Sequence, residues 1–167
     1  MARAWDQARA GGALALARRR LRATPFRTFV LYPAALVAVE TLLRRGPPAV
    51  DPRGLPLMAW GYLQYRWCGS YRRPRGGGGP GPDVPPERLV ESGPYALVRN
   101  PMYLGHLLYL TGLAVTLRSP RGALLVLVVA AWFHQRVLAD EAQLHALFGE
   151  EYATYTRRVA RWLPGIC

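Results

Sequence analysis

Residues 87–103 read Glu-Arg-Leu-Val-Glu-Ser-Gly-Pro-Tyr-Ala-Leu-Val-Arg-Asn-Pro-Met-Tyr, and 104–117 continue Leu-Gly-His-Leu-Leu-Tyr-Leu-Thr-Gly-Leu-Ala-Val-Thr-Leu. The first part is polar and contains a Ser-Gly-Pro turn; the second has no charged side chain. Two residues mark the boundary. Asn100 is a favoured N-cap, and Pro101 suits the first helical position because its missing N–H is not needed there. A helix therefore starts at Asn100-Pro101 and enters apolar surroundings. Only a short turn around Ser119-Pro120 separates it from the next apolar run, so the two helices form an antiparallel hairpin.

Working outward, four apolar runs cover 26–43, 55–71, 102–117 and 122–138, each at the short end of what spans a bilayer as a helix. The second is interrupted by Gln64 and Arg66, near enough to one end for Arg66 to snorkel to the surface. Four such runs are too apolar for the amphipathic helices of a soluble bundle. The expected fold class is all-α: a polytopic membrane helical bundle with about four transmembrane helices. A basic amphipathic helix over 1–25 precedes them on the membrane surface, rather than a cleaved leader. Short cytoplasmic helices follow. The whole chain reads as one domain, with 26–73 as the first two spans, 74–86 as a flexible Gly/Pro connector and 87–167 as the functional region.

Arginine sets the orientation. With the N-terminus inside, 17 of the 22 basic residues lie on the cytoplasmic side and Arg44, Arg45, Arg53, Arg118 and Arg121 lie outside. This asymmetry places both termini in the cytoplasm. The Arg-, Ala-, Gly- and Pro-rich composition reads as GC-rich coding, and the expected location is a bacterial inner membrane.

Several function classes are excluded. The net charge of +12 comes as Arg blocks flanking apolar runs, without a recognition motif, so no nucleic acid partner is expected. His106, His134 and His145 have no metal-ligand spacing, so no metal is expected. Cys68 and Cys167 read as two unpaired thiols. The GGGGPGP stretch is no phosphate-binding loop, because no Gly-Lys-Ser/Thr follows it.

Two segments carry chemistry. The helix start at Asn100-Pro101 presents unpaired N–H groups and a positive dipole end, suited to an anionic group such as the carboxylate of an amino-acid cofactor. Tyr95, Arg99 and Tyr103 add donors. Read alone, this stretch is also an ordinary interfacial aromatic belt with anchoring arginine. After the fourth run, the helix continues into the cytoplasm to a stop at Gly149, and a short helix follows with Glu150 and Glu151 in its first turn. Arg136 and Asp140 share a face there, as a surface ion pair or as a polar site at the membrane boundary.

These segments resemble the isoprenylcysteine carboxyl methyltransferase family and its phospholipid methyltransferase relatives. The matching residues are Ser92-Gly93-Pro94-Tyr95 and Val98-Arg99-Asn100-Pro101-Met102-Tyr103-Leu104-Gly105. After the fourth run come Arg136, Asp140-Glu141, Leu144, Phe148-Gly149-Glu150-Glu151-Tyr152, Tyr155, Val159, Arg161 and Pro164. The resemblance implies an integral-membrane methyltransferase that uses S-adenosyl-L-methionine and acts on a hydrophobic small molecule or a prenylated acceptor. Carried over by position, Glu87, Arg88, Leu89, Val90, Tyr95, Asn100, Pro101, Met102, Tyr103, Asp140 and Glu141 line the cofactor site, and Arg136 faces the substrate. The family usually has His where Asn100 stands and Glu where Asp140 stands. Asn keeps hydrogen bonding without titrating; Asp is one methylene shorter. Two rivals are an NADPH-dependent membrane reductase, with Arg157 and Arg158 on the extra phosphate, and a non-enzymatic membrane scaffold.

Overall fold

The computed structural model describes residues 23–47, 50–77 and 86–164. The expected basic helix over 1–25 lies almost wholly outside these residues, as does most of the expected connector. The chain divides into two compact units, 1–48 and 49–167.

In the first unit, α1 spans Thr24–Arg44. Its stretch Arg27–Leu31 is π-helical, with Tyr32 N–H donating to the Arg27 carbonyl. Pro33 follows directly and has no N–H for the regular ladder, a common cause of such a wide turn. Arg45 ends α1 in the left-handed region, at φ 54°.

The second unit contains α2 (Leu55–Gly76), α3 (Pro101–Thr116), α4 (Pro120–Phe148) and α5 (Glu150–Arg158). No strand occurs among the described residues; a single parallel bridge joins Val98 to Ala160. Helix α2 runs five residues past the expected end of its apolar run, through Pro74, so the connector begins later than its composition implied. The backbone N–H groups of Glu87 and Arg88 both donate to the Gly76 carbonyl, at 2.9 and 3.0 Å, and finish the helix. Helices α1 and α4 are long and apolar enough to cross a membrane. At about 1.5 Å per residue, α4 is about 43 Å long, more than a bilayer core of roughly 30 Å requires.

Helices α2 and α3 pack antiparallel with their backbones almost touching. A Cβ on Gly61 would lie 2.5 Å from the Tyr109 nitrogen, and one on Gly105 would lie 2.8 Å from the Gly61 carbonyl oxygen. Small residues permit this approach, and close backbone packing can hold helices together where lipid removes the hydrophobic drive. Gln64, which interrupts an apolar run in the sequence, donates to the Pro101 carbonyl at 2.9 Å. At the opposite end of this pair, Asp51 is buried. It accepts from Arg53 Nη2 at 2.8 Å and Arg118 Nη2 at 3.0 Å, while its backbone N–H donates to Thr116. The two guanidinium groups hold its carboxyl well below the usual carboxylate range, Arg53 contributing most. The α3–α4 turn is sealed by Ser119, whose hydroxyl accepts from Gly122 N–H at 2.8 Å.

The outward surface is apolar. Trp60, Leu63 and Trp67 are exposed along α2, as are Leu124, Leu127 and Val128 on α4. Large exposed apolar side chains along the helices of an all-helical protein are what a lipid environment selects.

Candidate active site

The polar groups gather where α2 ends, α3 begins and α4 leaves its apolar half. Gly93 opens a 3-10 turn, Gly93–Ala96, with φ 61°. A Cβ there would lie 2.5 Å from the Tyr71 ring, so glycine is required on both conformational and packing grounds. The Tyr71 hydroxyl hydrogen-bonds with Ser92 Oγ at 2.9 Å, and the Tyr155 hydroxyl donates to the Tyr95 carbonyl at 2.6 Å. Arg99 N–H donates to the Ala160 carbonyl at 2.8 Å. The turn is thus held between α2 and the segment after α5.

Tyr103, in the first turn of α3, joins the two α4 residues singled out by spacing. Its hydroxyl donates to Asp140 Oδ2 at 2.8 Å and accepts from Arg136 Nε at 2.9 Å. The Phe133 ring packs against the Tyr103 ring at 4.8 Å and fixes its place. Arg136 and Asp140 therefore share a neutral hydroxyl between them, which orients both.

Glu141 has a different environment. Its carboxylate accepts from Arg99 Nε at 3.1 Å, Arg161 Nη2 at 2.9 Å and Asn100 Nδ2 at 3.3 Å. Arg99 also donates through Nη1 to the carbonyls of Thr156 and Val159, both at 3.0 Å, closing the end of α5. The hub pins the C-terminal segment to the start of α3 and to α4. Asn100 occupies the N-cap position of α3, but its side chain makes no cap hydrogen bond. The amide is drawn to Glu141 and to the Arg161 carbonyl instead, since its N–H groups meet acceptors there.

The remaining predicted residues fall nearby. Glu87 and Arg88 meet the end of α2 through their backbone. Val90 Cγ2 approaches Gly76, while Leu89 packs on the buried cluster of Tyr152, Tyr155 and Val159. Met102 reaches α2, its Cε 3.5 Å from where a Gly69 Cβ would stand. Tyr95 is buried, and its backbone carbonyl is held by the Tyr155 hydroxyl. Burial pushes the Tyr152 hydroxyl up to about 12, with the Glu141 charge adding to it, and raises Tyr95 and Tyr155 further. All three stay neutral at physiological pH. Arg161 and Gln64 carry no local signal as site-forming residues; Arg161 stands in the matched pattern, but only its contact with Glu141 shows its part. Among the described residues no cluster of His, Cys, Asp and Glu could hold a metal ion.

This arrangement defines an all-helical protein whose longest helices suit a membrane and whose matched polar residues gather where α3 begins. Residues 81–151 match the family described as phospholipid methyltransferase. The protein-S-isoprenylcysteine O-methyltransferase of Mus musculus is 40% identical over 79 residues, covering 47% of this chain and 28% of that one. That of Schizosaccharomyces pombe is 36% identical over 77 residues, 46% and 33% of the two chains. In Arabidopsis thaliana the B form is 35% identical over 78 residues, 46% and 40%. The solved structure of a eukaryotic intramembrane Ras methyltransferase, an isoprenylcysteine carboxyl methyltransferase, shares the fold. Its TM-score is 0.60 at 22% identity, over 87% of this chain and 54% of that one. The chain is therefore similar to the phospholipid and isoprenylcysteine methyltransferases through its C-terminal half. The matched stretch spans less than half the length of these curated relatives. Nothing in these likenesses supports the reductase reading.

Proposed function

We propose that this chain is an integral-membrane methyltransferase that uses S-adenosyl-L-methionine and acts on a membrane-partitioned acceptor. The observation that carries the reading is the Tyr103 hydroxyl between Arg136 and Asp140, at the start of a helix that enters the apolar region. The residues present fit such a cofactor: Asp140 is oriented by Tyr103 as an acceptor, and Pro101 opens a helix whose first backbone N–H groups are donors. Tyr95, Asn100, Pro101, Met102, Tyr103 and Asp140 would hold it. Glu87, Arg88, Leu89, Val90 and Glu141 would shape its surroundings. When bound, it supplies an electrophilic methyl group on a sulfonium.

Arg136 is held by Tyr103 and directs its guanidinium chemistry at an anionic acceptor. A carboxylate is the acceptor these residues favour, as on a prenylated cysteine or another apolar acid. With the cofactor held by Tyr95, Asn100 and Asp140, its methyl group would be available for transfer to a carboxylate oxygen oriented by Arg136. No proton moves, so no general base is needed. Positioning and exclusion of water supply the rate. Asn100, which cannot titrate, is compatible with this chemistry.

Four crossings, α1 to α4, belong to this proposal, with both termini cytoplasmic in a bacterial inner membrane and 1–167 acting as one domain. Helix α3 is the shortest, and its tight packing on α2 makes a short crossing tolerable. The test is incubation of the purified chain with membrane lipid extract and methyl-labelled cofactor, followed by identification of the product. Label in a base-labile methyl ester supports the reading. Absence of any labelled lipid or prenylated product argues against it.

A further inference from the structure

The α3–α4 hairpin does not close over its whole length. Toward its turn, Thr111, Ala114 and Val115 of α3 face Ala123, Val126 and Leu127 of α4 across a groove of about 450 Å³. That is the size of a small-ligand pocket. Its two hydroxyls are turned to backbone. Thr111 Oγ1 donates to the Leu107 carbonyl at 2.9 Å, and Ser119 Oγ accepts from Gly122 N–H at 2.8 Å. Further along the hairpin, Phe133 is fully buried and packs on His106 and Tyr103, at 5.7 and 4.8 Å between ring centres. This stack separates the groove from Arg136.

Arg118 stands at the mouth. Among the described residues that line the groove, it alone is charged. It takes the left-handed position that ends α3, at φ 46°, where glycine or asparagine is usual. Asp51 fixes its side chain: Nε and Nη2 both donate to Oδ2, at 3.1 and 3.0 Å. Asp51 is buried and shared with Arg53, whereas the Arg118 side chain is 61% exposed. Among the described residues of 50–54 and 117–122, Arg53, Arg118 and Arg121 stand against Asp51 alone. Positive charge is therefore in excess at this end.

We propose that the groove binds an anionic phospholipid, with an acyl chain between α3 and α4 and the phosphate at Arg118. Val115, Leu124, Leu127 and Val128 are exposed along it, so the chain enters sideways from the bilayer. A guanidinium pairs well with a phosphate, and anionic lipid is drawn to arginine near a membrane surface. The mouth lies about 22 Å along α3 from Tyr103, and the site does not depend on the methyltransferase reading.

Native mass spectrometry of the full chain, released from nonionic detergent, tests it with dioleoyl phosphatidylglycerol and dioleoyl phosphatidylcholine as probes. The wild type should retain phosphatidylglycerol about 10-fold better, as expected for one charge-assisted contact. Arg118→Gln should bring the ratio close to one, while Arg66→Gln, toward the opposite end of the bundle, should leave it unchanged. Ala123→Phe fills the groove without touching the Arg118–Asp51 pair and should lower retention of both lipids. It keeps the proposal falsifiable if Arg118→Gln folds poorly. Equal retention of the two lipids by the wild type overturns the proposal. So does an equal loss of selectivity in Arg118→Gln and Arg66→Gln, which assigns it to overall charge. If Ala123→Phe retains phosphatidylglycerol as the wild type does, the groove is not the site. If that variant loses N-acetyl-S-farnesylcysteine instead, the groove holds the tail of an acceptor and the proposal is again overturned.

Discussion

Glu141→Gln separates a structural hub from a ligand-binding carboxylate. The Glu141 and Arg99 side chains are 11% and 10% exposed, while Arg161 is 35% exposed. Removing the charge of Glu141 strands the Arg99 guanidinium in a low-dielectric site, and breaking a buried pair in this way costs about 3–5 kcal/mol. The Arg161 contact, about a third open to solvent, adds at most about 1 kcal/mol. The loss falls on what the hub holds: the closure of α5 by Arg99 and the bond from Arg99 N–H to Ala160. At about 1.4 kcal/mol per tenfold, the opening equilibrium there should rise by about two to three and a half orders of magnitude. Hydrogen exchange read at Arg99 and through 152–161 reports it, with α2 and the first half of α3 as the internal reference. S-adenosylhomocysteine affinity should fall only as far as the site loosens. If Glu141→Gln leaves exchange at Arg99 within about threefold of wild type while ligand affinity collapses, the hub assignment is wrong and Glu141 is a ligand residue.

Arg136→Ala should abolish methyl transfer to the acceptor while cofactor affinity stays within a few-fold, and Arg136→Lys should rescue poorly because the planar fork is lost; normal turnover in the alanine variant would end its acceptor role. In the α2–α3 seam, Gly105→Ala places a methyl against Gly61 and should lower stability by about 1–3 kcal/mol or more. Gly69→Ala meets only Met102 Cε, at 3.5 Å, and should be near neutral in the same thermal melt; equal effects at both positions would refute the close-packing argument. Tyr152 provides a pH test. Its folded value of about 12 lies above the ordinary 10, so the folded state holds its proton more tightly. Stability from this residue is intact below about pH 10 and is lost as pH rises through about 12. Melting temperature should drop over that window, and Tyr152→Phe should flatten the drop; a parallel decline in both proteins would assign it to other groups.

Much of the site is legible in the amino-acid sequence. Pro101 opens α3 and Gly149 stops α4, because the backbone preferences of proline and glycine are local. Four residues of helical spacing put Arg136 and Asp140 on one face. The Ser-Gly-Pro-Tyr turn is recognisable, although the reason for Gly93 is not, since the Tyr71 ring that excludes a Cβ lies 22 positions earlier. Asn100 reads as a cap because that is the local use of an asparagine there. The acceptor that takes its amide is Glu141, 41 positions away.

The sequence alone determined which stretches are helical, where charge gathers and which family the C-terminal half resembles. Hydrophobic period, caps and charge blocks depend on neighbours within a turn or two. Tertiary structure decided the rest. It set Gly61 against Gly105, Tyr103 between Arg136 and Asp140, and Glu141 among Arg99, Arg161 and Asn100. Each of these pairs residues 20 to 44 positions apart, and nothing local fixes such a register. It is fixed when two helix backbones find the one approach that their glycines permit and their buried polar groups can satisfy.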